Sequence, residues 1–447
     1  MILSNDLTIG PLFPKMMKFA VPYLGACFLQ TFYGMADLFI TGQYNGAAPV
    51  TGVAIGSQVM HMMIVIIAGL TLGCAVSIAG ALGARDEKRA LHFMGSAAVL
   101  FLPFAFVLMA ILFALMPFIL SALQTPPEAW EDTKAYLSIC FAGIPFIVLY
   151  NMVSGFFRGM GNTRTPMVIV ALAGIVNIGL DFLLIGSFHM GAAGAAWGTF
   201  ASEGVSVLLI LLCLWQKLSP LSLTASHFAP HRPEISQILT IGVPISCQDG
   251  LIQISFLVIT AIANSRGVET AAAVGIVEKI ISFLFLVPSA MMSTVSATTA
   301  QNRGAQKPDR GRKALSYGIA VCVAFGLLCI AVVEIKAASI LSLFVPGEKN
   351  VIALGADYFH SYVFDCAIAG VHFCFSGYFT ACRKSWFSFL HNVISIFTVR
   401  IPGTYAAALL FPDTLFPMGL AAPMGSLLSV IICVFLYYRY LGDRVES

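Results

Sequence analysis

Within stretches otherwise built of Ala, Val, Leu, Ile and Phe, the chain carries a few side chains that could hold a cation or a proton. Asp37 lies in ADLFITG and Asp181 in NIGLDFLLIG. Asn177 precedes Asp181 by four residues, so both share one helical face. Thr199 stands about two turns into the next apolar segment, which runs in the opposite direction, so its depth is similar. A charge near the centre of a membrane-spanning helix costs about 2.5–3.5 kcal/mol on insertion scales, so each one needs a reason. Two carboxylates, an amide and a hydroxyl at one level make an oxygen-rich set that could coordinate a small hard cation such as Na⁺. The same set could share a proton, because adjacent carboxylates resist being ionised together. The plainer alternative is that Asp37 and Asp181 only accept hydrogen bonds and fix helix packing.

Further polar groups extend this pattern. Gln30 and Tyr33 share the face of Asp37 at i−7 and i−4, and Glu203 is one turn beyond Thr199. The second half of the chain holds Asp249, Glu278, Asp365 and Arg400 inside apolar runs. Glu278 could pair with Arg400 as a purely structural contact. Left unpaired, Glu278, Asp249 or Asp365 could attract a cationic ligand, and the 35 Phe and 18 Met offer a soft lining for a lipophilic one.

These residues must be positioned by a membrane protein. Of 447 residues, 59% are hydrophobic and only 10% charged, with a mean hydropathy of +0.90. Soluble domains carry roughly 25% charged residues, so this chain could not cover a soluble surface. The net charge of +3 says nothing about nucleic acid and no basic block is long enough to suggest it, so no nucleic-acid partner is expected. The eleven Cys form no C-x-x-C and no metal spacing with His, so they read as small apolar residues. The segment MILSNDLTIGPLFPKMMKF lacks the pattern of a cleavable signal, so targeting is expected to come from the first membrane helix. Apolar runs of spanning length fall at 16–42, 51–82, 93–117, 135–158, 166–187, 192–216, 238–264, 271–300, 313–345, 352–381, 386–410 and 418–440. All but six of the 24 Lys and Arg lie in the termini or the even-numbered connections; the exceptions are Lys134, Arg266, Lys279, Lys336, Lys349 and Arg400. That bias places both termini in the cytoplasm.

The halves echo each other. Pro22 (KFAVP) and Pro244 (TIGVP) are 222 residues apart, as are Tyr136 and Tyr358, and Ser154-Gly155-Phe156-Phe157 and Ser376-Gly377-Tyr378-Phe379. Met190-Gly191 returns as Met418-Gly419. We therefore expect an all-α polytopic protein of twelve transmembrane helices in two six-helix lobes related by pseudo-two-fold symmetry. The expected lobes span 1–215 and 238–447, with a polar, proline-rich cytoplasmic linker at 216–237. Paired parallel repeats are a recurrent transporter plan.

Several segments now resemble the multidrug and toxic compound extrusion (MATE) family: ADLFITGQYNG (36–46), GALGARDEKRAL (80–91), SGFFRGMGNTRTP (154–166), NIGLDFLLIG (177–186), MGAAGAAWGT (190–199) and TAQNRGAQK (299–307). The resemblance covers nearly the whole chain in the correct order. It implies two six-helix lobes, alternating access, and export of organic, often cationic and lipophilic, compounds in exchange for H⁺ or Na⁺. It also implies that Asp37, Asn177, Asp181 and Thr199 match a cation site in the first lobe, and that Pro22 matches a helix-1 proline whose kink responds to the Asp. The second lobe departs from the pattern: YFTACRKS follows Ser376-Gly377 and lacks the Arg-Gly of Arg158-Gly159.

Other classes are less well served. H-E-x-x-H, G-x-S-x-G and Walker A motifs are all missing from the sequence, so neither an enzyme nor an ATP-driven pump is expected. A flippase or exporter of a lipid-linked or other amphiphilic metabolite, from the same superfamily, is the alternative; it should carry several basic residues for a pyrophosphate. The expected partners are a small organic substrate, a coupling cation and the lipid bilayer of the plasma (inner) membrane. The expected protein is a monomer with no resident cofactor.

Overall fold

The computed structural model describes residues 3–219 and 230–441, and every regular element among them is helical. In the first half these are α1 (Leu12–Tyr44), α2 (Ala47–Gly83), α3 (Glu87–Ala122), α4 (Trp130–Ala142), α5 (Ile144–Gly159), α6 (Arg164–Asp181) and α7 (Gly191–Leu218). The second half holds α8 (Arg232–Asn264), α9 (Val268–Leu284), α10 (Leu286–Gly304), α11 (Pro308–Ser342), α12 (Lys349–Tyr362), α13 (Asp365–Ala381), α14 (Ser385–Ser395), α15 (Ile401–Leu410) and α16 (Phe416–Tyr440). An all-helical result is what a bilayer demands, since a helix satisfies its own backbone donors and acceptors where water cannot. Large apolar side chains such as Phe118, Leu328 and Ile335 point outward, as lipid-facing residues do.

Ten helical stretches among the described residues are long and apolar enough to span a membrane. Two bent pairs, α4 with α5 (47°) and α12 with α13 (42°), bring the number to twelve when each pair is one span. The twelve expected segments overlap these one for one. Part of the expected linker is helical instead: α7 runs to Leu218 and α8 begins at Arg232, while 220–229 lie outside the described residues.

The chain divides into two compact units. One holds residues 3–7 and Val21–Gly242, the other Thr8–Ala20 and 243–441. Helix α1 therefore changes unit between Ala20 and Val21, one residue before Pro22. Helix α8 does so between Gly242 and Val243, one residue before Pro244. Both helices continue through their proline, which removes one backbone donor at that point.

The repeated landmarks have packing reasons. A Cβ on Gly155 would come 3.2 Å from the Thr71 carbonyl oxygen of α2, and one on Gly377 would collide with the Met292 carbonyl oxygen of α10. The repeated Ser-Gly thus marks where backbones of neighbouring helices meet, a common use of small residues in membrane bundles. The bends also recur in order, and so do two π-helical stretches: Phe182–Ser187 after α6 and Ile396–Arg400 after α14. Such turns widen the helix and re-aim the side chains beside them.

Candidate functional site

In the first unit, α1, α6 and α7 bring Asp37, Asn177, Asp181 and Thr199 together. Asp37 is 3% exposed, and Asn177 and Asp181 are fully buried. The Thr199 hydroxyl donates to Asp37 Oδ2 at 3.1 Å. Asp181 and Asn177 flank the same carboxyl, at contacts looser than a regular hydrogen bond. Both Asp181 oxygens, both polar atoms of the Asn177 amide and Asp37 Oδ1 are buried without a partner of hydrogen-bond geometry. Leaving one such group unpaired costs about 1–3 kcal/mol, and more when it is charged. Five orphaned atoms on three neighbouring side chains therefore suit a bound cation or a shared proton better than a packing role. Among the described residues no group of three or more His, Cys, Asp or Glu could hold a metal, and this mixed oxygen set fits a hard monovalent ion rather than a transition metal.

The approach of α7 depends on Gly198, next to Thr199. A Cβ there would land on Asp181 Oδ1 and lie 3.6 Å from the Asn177 amide nitrogen. Sequence reading missed Gly198 as a site residue; its signal is the run of small residues GAAGAAWG across α7. Tyr33 packs against Gly174 of α6, is joined by Gln30, and lies within electrostatic reach of Glu203 and Asp37. Glu203 itself accepts from Ser206 Oγ at 3.3 Å. Gln30, Tyr33 and Glu203 thus form a second polar layer beside the Asp37 cluster.

The second unit gathers a different set. Arg400, at the end of the π-helical stretch, donates to the Tyr362 hydroxyl at 2.8 Å and lies 4.7 Å from the centre of the Phe256 ring. Asp365 and Glu278 are within electrostatic reach of it. The expected Glu278–Arg400 ion pair does not form: Glu278 accepts from Thr260 Oγ1 at 3.1 Å, and Arg400 is taken by Tyr362 and Phe256. Glu278 Oε1, both Asp365 oxygens and Arg400 Nε are buried without partners. Asp249 stays apart from this group and accepts from its neighbour Gln248 at 3.4 Å.

The sequence profile of the MatE family matches twice, over residues 22–183 and 244–406, each match starting at one of the repeated prolines. The chain belongs to the MATE family. It is similar over 98% of its length to a probable multidrug resistance protein, YpnP of Bacillus subtilis, at 27% identity and 97% of that protein. It is also similar to the multidrug export protein MepA of Staphylococcus haemolyticus, at 24% identity over 95% of this chain and 92% of that one. A solved structure described as the outward-facing conformation of a multidrug resistance MATE family transporter shares the fold, with a TM-score of 0.89, 21% identity and 97% of each chain covered.

As a MATE protein the chain is a multi-span membrane transporter, and the family is one of transporters rather than enzymes. Within that frame the two units differ in chemistry. The first concentrates acids with amide and hydroxyl oxygen at the start of its π-helical stretch, immediately after Asp181. The second ends the corresponding stretch on a buried guanidinium. A further buried cation, Arg158 of α5, donates to the Tyr23 hydroxyl at 3.1 Å.

Proposed function

We propose that this chain is a secondary active antiporter that exports lipophilic organic compounds, often cations, in exchange for inward H⁺ or Na⁺. The observation that carries the reading is the Asp37–Asn177–Asp181–Thr199 cluster, with its buried oxygens lacking partners in the interior of three spans. With both carboxylates ionised the cluster is strongly anionic in a medium that solvates charge poorly, and one proton or one Na⁺ relieves it. Binding there and release to the other side couples ion flow to conformation, because an ion shifts an equilibrium by its differential affinity for the two states. Both termini face the cytoplasm in this reading, and the protein resides in the plasma (inner) membrane. Asp365 and Glu278 beside Arg400 weigh against the flippase alternative, since a pyrophosphate there would meet two carboxylates.

The test is efflux of tetraphenylphosphonium from proteoliposomes, with a Na⁺ gradient and a pH gradient imposed separately. One gradient is expected to drive wild-type transport, and Asp37→Asn to abolish it while the protein stays folded. A fully active Asp37→Asn protein would sink the proposal.

A further inference from the structure

The charges of the second unit are held apart rather than paired. Tyr362 ends α12 and Asp365 begins α13, on either side of the 42° bend between those helices. Arg400 closes the π-helical stretch after α14, Glu278 comes from α9, and Phe256 and Thr260 stand one turn apart on α8. Arg400 and Glu278 each keep 9% of their surface exposed, and Asp365 1%. Among the described residues the guanidinium makes one hydrogen bond, from Nη2 to the Tyr362 hydroxyl, while Nε is buried with none. Neither acid is bonded to it. Both Asp365 oxygens and Glu278 Oε1 are buried without partners, and Glu278 Oε2 is held by Thr260.

In a medium that solvates charge poorly a guanidinium and a carboxylate attract strongly, and buried ions are ordinarily paired. Here three neutral groups keep them apart. The Tyr362 hydroxyl takes one end of Arg400, the Phe256 ring lies 4.7 Å from its centre, and Thr260 keeps Glu278 on the α8 side. Histidine does not fill the gap. His372 is within electrostatic reach of Arg400, but its ring packs against His391 of α14, 5.4 Å between centres. The gap has an open side, because Phe256 and Thr260, with Asp249 and Gln253 on the same face of α8, are only half-buried. Buried charges of both signs thus share one opening, each with unused hydrogen-bonding capacity. A simple anion on Arg400 would face two carboxylates, and a simple cation on the acids would face the guanidinium. A molecule that carries both charges satisfies both.

We propose that this cluster binds small zwitterions with an apolar or aromatic body. The anionic group docks on the Nε side of Arg400, where charge-assisted hydrogen bonds form. The cationic group lies between Asp365 and Glu278, with the rings of Tyr362 and Phe256 beside it. Binding is non-covalent, and no proton or electron is transferred. The assignment goes beyond the antiporter reading, since it gives the second unit a ligand whether or not ions drive its export.

The test is equilibrium binding to the full chain in nanodiscs, with no gradient imposed, so a failed antiporter reading leaves it intact. The probes are three indoles: tryptophan betaine, a permanent zwitterion; its methyl ester, a permanent cation; and indole-3-propionate, an anion. We expect the betaine to bind at least about tenfold more tightly than either singly charged analogue, because each analogue leaves one buried charge of the site unmatched. Arg400→Gln should erase the advantage over the methyl ester, and Asp365→Asn the advantage over the propionate. A betaine advantage that survives in folded Arg400→Gln overturns the proposal. So does a betaine that fails to bind the wild-type protein, or an analogue that binds it as tightly. A photoreactive azido derivative of the betaine locates the site without any substitution. Label on the α8 peptide holding Phe256 and Thr260 is the expected result, and label confined to α1, α6 or α7 overturns the assignment.

Discussion

At the scale of single residues, the cluster depends as much on an absent side chain as on the present ones. Asp181 is fully buried and Thr199 reaches Asp37 only because α7 passes close, and that pass is possible because residue 198 has no Cβ. Gly198→Ala puts a methyl on Asp181 Oδ1, so either the carboxylate rotates away or α7 retreats and takes Thr199 with it. We expect this substitution to cost about 1–3 kcal/mol of stability, the usual range for overpacking, and to remove ion-coupled efflux. Gly204→Ala on the same helix is the control: its Cβ would sit 3.6 Å from the Phe146 ring, an ordinary contact. Thermal unfolding and efflux of the two variants compared side by side check the argument, and equal behaviour would count against it.

At the scale of helices, α1 and α8 each leave one compact unit for the other within two residues of a proline. Each proline lacks the N–H that would bond four residues back, so the helix is softest where its packing partners change. The start of α8 is held firmly: Gly242 lies against the Leu70 backbone of α2, and Gly73 against the Ile238 carbonyl. We predict that Pro22→Ala and Pro244→Ala each raise thermal stability, by up to about 3 kcal/mol if the helical bond forms, and each slow transport several-fold. An unchanged efflux rate in both would remove the hinge role. The prolines, the spacing of 222 residues, the twelve spans and the Asp37 set were all legible in the sequence. They are local signals: hydropathy, helical periodicity, and charge where charge is costly. The second unit was less legible. Arg400 and Glu278 invite pairing on paper, yet Tyr362, Phe256 and Thr260 claim them, and a tyrosine or threonine in an apolar span carries no mark of such use. Buried His372 and His391 went unread for the same reason, since only the packing of α13 on α14 shows that they face each other.

At the scale of the whole molecule, export by exchange requires that substrate and ion oppose each other. Linkage makes that opposition symmetric: if a proton weakens substrate binding by some factor, substrate weakens proton binding by the same factor. With H⁺ as coupling ion, acidification fills the Asp37–Asp181 cluster and must lower tetraphenylphosphonium affinity; with Na⁺, adding the salt does so at constant pH. A tenfold loss corresponds to about 1.4 kcal/mol of coupling, within the typical range of about 1–3 kcal/mol. A variant then separates binding from coupling. The double variant Asp37→Asn/Asp181→Asn leaves the cluster no charge to neutralise, so its tetraphenylphosphonium affinity should stay flat across pH and Na⁺, while its Gln30–Tyr33–Glu203 layer stays intact. Equilibrium titrations of the two proteins in nanodiscs therefore test whether the first-unit cluster is the coupling site. A pH and Na⁺ response that survives in Asp37→Asn/Asp181→Asn would move the coupling site out of this cluster, and the acids around Arg400 would be the next to test.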